Sequence, residues 1–131
     1  MSPKTISVIE RCMQGSLNGT MSFPEVVGGL LEVGISSYHV DFIRNEETFY
    51  SRDHESFVES IPNLWNVIGD TFDAGEIGRA VLASQTEGQT FPVFVDRVVR
   101  AGCVGYFAYL DGRKVVYLSR LGEEHVEHFP Q

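Results

Sequence analysis

The residues of this sequence best suited to chemistry are histidines set beside carboxylates. The stretch GEEHVEHFPQ places His125 and His128 among three glutamates, a composition that suits metal binding or acid–base catalysis. On a strand, residues three apart point to opposite faces, so these two histidines could not bind one ion together. The alternating pattern and the closing proline favour a strand, and we predict that this stretch is structural.

A second pairing, His39 and Asp41, lies in SSYHVDFI. Residues two apart on a strand share a face, so the carboxylate could orient the imidazole. The imidazole could then act as a general base or bind a metal with a third ligand, for which His125 is the candidate. His39 and Asp41 are therefore the candidate catalytic and metal-binding residues, and Arg44 lies nearby along the chain. The alternative is that they lie on a solvated strand face.

Neither a phosphate-binding loop nor a GxSxG or HExxH pattern occurs in the sequence. No local motif indicates an enzyme, and we predict no cofactor. Cys12 and Cys103 lie among apolar neighbours outside any metal-binding spacing. We expect buried free thiols in a reducing compartment.

The charge balance narrows the class of partner. With 10 basic and 18 acidic residues among 131, the chain carries a formal charge of −8. Nucleic acids and anionic membranes both require a basic face, so neither is expected as a partner. No apolar run reaches the ~18 residues of a membrane span, and the first residues lack the apolar core of a signal peptide. We predict a cytoplasmic protein.

The sequence repeats itself at an offset of 68. Phe23-Pro24 recurs as Phe91-Pro92, and the same offset maps Gly34 onto Gly102, Tyr38 onto Tyr106 and Val58-Glu59 onto Val126-Glu127. A slip of one residue is needed to align TFY (48–50) with VVY (115–117). We interpret residues of about 4–62 and 72–130 as two copies of one unit within a single domain, 1–131. An apolar connector, 63–71, joins them, and we expect its Leu64, Trp65, Val67 and Ile68 to pack against the domain.

Each unit is predicted to contain two helices followed by three strands. In the second helix of each, apolar residues recur at helical spacing, as in Val26, Val27, Leu30 and Leu31. After the glycine that ends this helix the pattern alternates, as expected for strands. The predicted fold is therefore α+β. A tandem duplication of an ααβββ unit forms one domain with pseudo-two-fold symmetry, and helices cover its antiparallel sheet.

Comparison of the two copies singles out positions where they differ in polarity. At the offset of 68, His39 and Asp41 correspond to Phe107 and Tyr109. If those aromatic side chains face outward, they favour a dimer interface, because exposed aromatic patches usually mark association.

Four segments also carry a resemblance to a known family, and together they cover nearly the whole chain: TMSFPEVVGGL, SSYHVDFIR, AGCVGYFAYLDGRKVVY and EEHVEHFP. The sequence resembles the YbcV-like family of small bacterial and phage-associated proteins, domain-of-unknown-function family 1398. That resemblance implies an association with prophage-borne genes and no assigned activity.

Two functional hypotheses follow from the sequence. The first is a non-enzymatic acidic module that acts by contact with another protein or with itself, as a homodimer. The second is a small-molecule- or metal-binding enzyme centred on His39 and Asp41. The residues predicted to bind in one role or the other are His39, Asp41, Arg44, Phe107 and Tyr109.

Overall fold

A computed structural model describes residues 1–130 of the chain. Along these residues, two helices followed by three strands occur twice, which confirms the predicted α+β class. The elements are α1 (Pro3–Asn18), α2 (Phe23–Glu32), β1 (Ile35–Asp41), β2 (Glu46–Ser51), β3 (Ser56–Ser60), α3 (Ala74–Thr86), α4 (Phe91–Arg100), β4 (Cys103–Tyr109), β5 (Lys114–Ser119) and β6 (Glu124–His128).

The six strands form one open antiparallel sheet in the order β3-β2-β1-β4-β5-β6. Each half of the chain contributes a three-stranded meander. The two meanders join in the middle of the sheet, where β1 pairs with β4 and the register places His39 opposite Phe107. Local alternation predicts the meanders, whereas the junction between them has no local signal.

The helices begin at residues that satisfy their free N–H groups. At α2 the Ser22 Oγ accepts a hydrogen bond from the Glu25 N–H at 3.3 Å, and the Glu25 carboxylate accepts one from the Ser22 N–H at 3.0 Å. The two bonds together form a capping box. At α3 the Asp73 carboxylate accepts a bond from the Glu76 N–H at 3.0 Å. Thr90 occupies the N-cap of α4, but its hydroxyl makes no capping bond.

The second helix of each half ends at a glycine in the left-handed conformation, as predicted. Gly34 has φ +85° and Gly102 has φ +90°. At Gly102 a Cβ atom would lie 2.5 Å from the carbonyl oxygen of Thr71, so the backbone of the connector also requires glycine there. Both the left-handed conformation and this close approach therefore restrict position 102.

The helices pack against one face of the sheet, which we call the inner face. Its strand residues are almost fully buried: Tyr38, Val40, Phe49, Tyr106, Ala108, Val115 and Tyr117. The helices add Ile9, Val26, Leu30, Ile77, Phe94, Val95, Val98 and Val99 to the same core. The predicted stripe of α4 is buried at its centre, while Phe23, at the start of the α2 stripe, is exposed and contacts the ring of Phe129 edge-on.

The connector between β3 and α3 packs against the core through three of its four predicted residues. Leu64, Trp65 and Ile68 are partly buried, and the Trp65 indole N–H donates to the carbonyl oxygen of Phe42 at 2.9 Å. Val67 is 61% exposed, so its predicted burial is wrong. The connector follows the backbone of α4, where the Gly69 N–H bonds to the Val99 carbonyl oxygen, and this path directs Val67 outward.

The last strand behaves as predicted for its histidines. His125 faces the inner side opposite Tyr117, and His128 faces the outer side opposite Lys114. Phe129 packs against the core. Val126 shares the outer face with Val116 and is 40% exposed.

Within residues 1–130, no helix combines the length and the apolar character that crossing a membrane requires.

Candidate functional site

The side of the sheet opposite the helices, which we call the outer face, holds the predicted candidates His39, Asp41, Phe107 and Tyr109. One row of side chains crosses the whole face, with one residue from each strand and every neighbour in register. From β3 to β6 this central row consists of Val58, Thr48, His39, Phe107, Val116 and Val126. Four of its six members are apolar, and none belongs to the core beneath the helices.

Two further rows flank the central row and differ in charge. The donor row contains hydroxyl and basic side chains and no carboxylate: Ser56, Tyr50, Ser37, Tyr109, Lys114 and His128. The acidic row contains three carboxylates and no base of its own: Ser60, Glu46, Asp41, Gly105, Leu118 and Glu124. The outer face therefore has an apolar centre, an acidic side and an opposite side rich in hydrogen-bond donors.

His39 lies at the middle of the central row, stacked flat on Phe107. Their ring centroids are 4.2 Å apart and the planes differ by 8°. The Phe107 ring in turn stacks on that of Tyr109, with centroids 5.7 Å apart. Desolvation lowers the pKa of His39, and the Asp41 charge opposes that shift. The neutral imidazole is thus favoured, and it behaves as one more aromatic ring of the stack.

Asp41 already has backbone partners. Its Oδ1 atom accepts hydrogen bonds from the Ile43 N–H at 2.9 Å and the Arg44 N–H at 3.1 Å, which shapes the turn after β1. Arg44, from the same turn, pairs with Glu46 and is largely exposed. Among the hydrogen bonds of residues 1–130 there is none between His39 and Asp41. The two share a face as predicted, but they are not joined as an acid–base pair.

The structure does not bring His125 to the other metal candidates. His125 lies on the inner face of β6, which two strands separate from β1, and its Nε2 atom is 2.9 Å from the Glu127 carboxylate. His39 lies on the outer face. In the described part of the chain, no three His, Cys, Asp or Glu side chains are placed to hold a metal ion.

His39 and Asp41 line neither of two concavities on the surface of the protein. One, of about 780 Å³, lies between the connector, the start of α3 and the end of α4, where Arg97 pairs with Glu76 at 3.1 Å. The other, of about 590 Å³, is a shallow depression on the outer face beside Tyr109, Lys114 and Val116. His39 and Asp41 lie on the outer face of the sheet, outside both concavities.

Sequence reasoning missed Glu47, which is only 8% exposed on the inner face of β2. Burial raises its pKa to about 7. Its register neighbours are Val40 on β1 and Glu59 on β3, and its charge adds to the raised pKa values of Tyr38 and Tyr106. The signal was present in the sequence, because the offset of 68 maps Glu47 onto Val115, the same kind of polar-to-apolar difference that singles out His39.

Both cysteines are free and buried, as the sequence predicted. Burial raises the pKa of Cys12, and it raises that of Cys103 to about 11. Neither thiol is therefore activated as a nucleophile.

The chain was compared with known proteins. No protein-family model matches it, and no curated protein does either.

Proposed function

We propose that this chain is a non-enzymatic protein-interaction module whose contact surface is the outer face of the sheet. The observation that carries this proposal is the central row, a mostly apolar stripe that crosses all six strands on the side away from the helices. Antiparallel sheets with one solvated face normally place polar residues on it. A continuous apolar row on such a face is typical of a surface that another protein covers.

The exposure of the row supports this proposal. Val58 and Val126, at its two ends, are 51% and 40% exposed, and Tyr50 on β2, in the neighbouring donor row, is also exposed. Val116 is buried against its neighbours in the row and not against a helix. Aromatic side chains at the centre, with polar groups around them, are the usual arrangement of a protein interface.

We further propose that the two halves arose by duplication and are related by a two-fold axis between β1 and β4, within one domain. In support, Tyr38 pairs with Phe49 as Tyr106 pairs with Tyr117, and the numbers in both positions differ by 68. The Asn45 and Arg113 turns, also 68 apart, have φ values of 52° and 57°. A single offset accounts for these pairs, so the slip of one residue at 48–50 is not needed.

The alternative, an enzyme centred on His39 and Asp41, has less support. The Asp41 Oδ1 atom is bound to two backbone N–H groups, and the His39 ring is stacked on Phe107. A general base needs a position within reach of a substrate proton, which a half-buried ring in a flat stack does not offer.

Two further assignments remain proposals. Free buried thiols at Cys12 and Cys103 are consistent with a reducing, cytoplasmic location. The resemblance to the YbcV-like family, which includes phage-associated proteins, agrees with a small module without catalytic machinery.

Photo-crosslinking in cells tests the proposed surface directly. A benzophenone side chain at Tyr109 on the outer face is compared with one at Leu82, an exposed apolar position on α3. We expect protein adducts from position 109 and not from 82, and we expect Val58→Glu to diminish them. Equal adducts from both positions, or none from either, would contradict the proposal.

A further inference from the structure

We propose that the protein covering the outer face is a second copy of this chain, packed face to face about a two-fold axis that runs along the central row. The inference rests on the proposed function, since it names the partner of the same surface. A second copy is favoured because this one face carries both an acidic row and a row that complements it.

The charge pattern fixes the orientation. A two-fold axis along the central row places each strand over its own counterpart and exchanges the two flanking rows. The donor row of one copy then lies on the acidic row of the other. Near the centre, the Ser37 hydroxyl faces Asp41 and the Tyr50 hydroxyl faces Glu46, so that a hydrogen-bond donor meets each carboxylate.

Glycine at position 105 makes room in this arrangement. Gly105 lies in the acidic row directly beside Asp41, at the place that the Tyr109 ring of the other copy would cover. A Cβ atom at position 105 would lie 3.3 Å from the His39 Nε2 atom and 2.6 Å from the Val40 carbonyl oxygen. Aligned sheets cross at about 30°, which displaces the edge strands most, so these central positions decide the fit.

The other face-to-face orientation is disfavoured. A two-fold axis parallel to the strands would place each row over the same row of the second copy, with the order of the strands reversed. Asp41, Glu46 and Glu124 would then face Gly105, Leu118 and Ser60 of the second copy, so that none of these carboxylates would meet a base across the interface. Two acidic rows would be brought together and desolvated without compensating bases, which is unfavourable at an interface. The structure therefore distinguishes two orientations that have the same apolar centre.

The size of the face indicates a weak dimer. Six strands spaced ~4.8 Å apart, each with five residues at ~3.3 Å, give a footprint of roughly 29 by 17 Å on each copy. Two such footprints total roughly 1,000 Å², at the lower limit for a specific interface and below the standard ~1,600 Å². We expect a dissociation constant in the micromolar range.

Sedimentation velocity from roughly 1 µM to 1 mM tests the dimer. We expect a monomer–dimer equilibrium that Phe107→Ser weakens by about thirtyfold and Val58→Glu by about tenfold. The matched control is Val93→Glu on α4, because Val93 and Val58 are both 51% exposed. We expect the control to change the dissociation constant less than about twofold. Val58→Glu also keeps the test valid if Phe107→Ser fails to fold.

Disulfide trapping tests the orientation. In the proposed dimer Thr48 faces Thr48 of the second copy, so Thr48→Cys protein alone should form a disulfide dimer. In the other orientation Thr48 would face Val116 and lie about 14 Å, or three strand spacings, from its own counterpart. A mixture of Thr48→Cys and Val116→Cys proteins would then give the mixed disulfide, and Leu82→Cys controls for random collision.

The outcomes separate this inference from the proposed function. A monomer at every concentration, a dimer unaffected by Phe107→Ser and Val58→Glu, or a mixed Thr48–Val116 disulfide would each overturn the inference. If the chain is monomeric while position 109 crosslinks to a different protein, the proposed function stands and the second copy is rejected. If neither dimer nor adduct forms, both fail.

Discussion

The two halves of this chain place different residues at corresponding positions of one sheet. The first half has His39 on the outer face and Glu47 on the inner face, where the second half has Phe107 and Val115. The fold accommodates both members of each pair, so the more polar residue is not needed for folding. The comparison therefore separates what the architecture requires from what is particular to the first half.

The energetic cost of the more polar residue differs between the two faces of the sheet. Glu47 lies among apolar and aromatic side chains, with Glu59 as its register neighbour on β3 and no ion-pair partner in residues 1–130. His39 stays half-buried on a face that is open to solvent and stacks on the very residue that corresponds to it. Exchanging corresponding residues between the halves should therefore have a large energetic effect on the inner face and a smaller one on the outer face.

The largest effect is expected for Val115→Glu, which gives the second half a buried carboxyl as well. Val115 is almost fully buried and has Glu127 as its register neighbour on β6. We expect a loss of about 4 kcal/mol in the free energy of unfolding at pH 8, from lost apolar burial and a new desolvated charge. Urea unfolding followed by Trp65 fluorescence measures it. The exposed Val93→Glu should change it by less than about 0.5 kcal/mol, and an equal loss in both variants would contradict the comparison.

The reverse exchange, Glu47→Val, should stabilise the protein in a pH-dependent manner. The pKa of Glu47 is raised from 4.5 to about 7, so between these pH values the folded chain holds a proton that the unfolded chain has released. Its contribution to stability therefore falls as pH rises from about 4.5 to about 7, by about 3 kcal/mol, and is constant above that range.

Urea unfolding at pH 4.5 and pH 8 tests this sign. Glu47→Val should be more stable than the wild type by about 3 kcal/mol at pH 8, with a much smaller difference at pH 4.5. A gain of the same size at both pH values would show that packing, and not ionisation, sets the effect.

The smallest effect is expected for His39→Phe, which gives position 39 the residue found at the corresponding position 107 of the second half. The quantity affected is the dissociation constant of the proposed dimer. Desolvation lowers the pKa of His39, so charging the ring is unfavourable, and in the dimer two such rings would meet near the axis. The other titratable groups facing it are Asp41 on β1, Glu46 and Tyr50 on β2, and Tyr109 on β4. Dimerisation should weaken as pH falls below the ordinary histidine value of 6.5.

Sedimentation velocity at pH 8 and pH 5.5 measures this dependence. We expect the wild-type dimer to weaken by about tenfold at pH 5.5, and His39→Phe to remove the pH dependence and bind at least as tightly at pH 8. An acid-weakened dimer in the variant would assign the effect to a group other than His39.

Local patterns in the sequence were enough to predict much of the fold. Helical spacing located the apolar stripe of the second helix in each half, and alternation predicted the strands that follow it. Such features depend on neighbours along the chain, which the sequence displays directly.

The features that escaped prediction depend on contacts between the halves. Nothing in the alternation of a single strand indicates that β1 pairs with β4, and without that pairing the central row cannot be assembled from its six members. The sequence placed His39, Asp41, Phe107 and Tyr109 on a common kind of face, but their stacking became visible only with the register. Val67 was predicted to pack against the domain because it is apolar, whereas the path of the connector exposes it.

The pairing of β1 with β4 also has a consequence for the time course of folding. Its ladder joins residues 64 to 72 positions apart, from Asp41 and Gly105 to Ser37 and Tyr109, whereas each meander joins residues close along the chain. Closing so long a loop is entropically costly, so the hairpins should form early and the central ladder late. The two central strands of the native sheet, β1 and β4, are then the last to pair with each other.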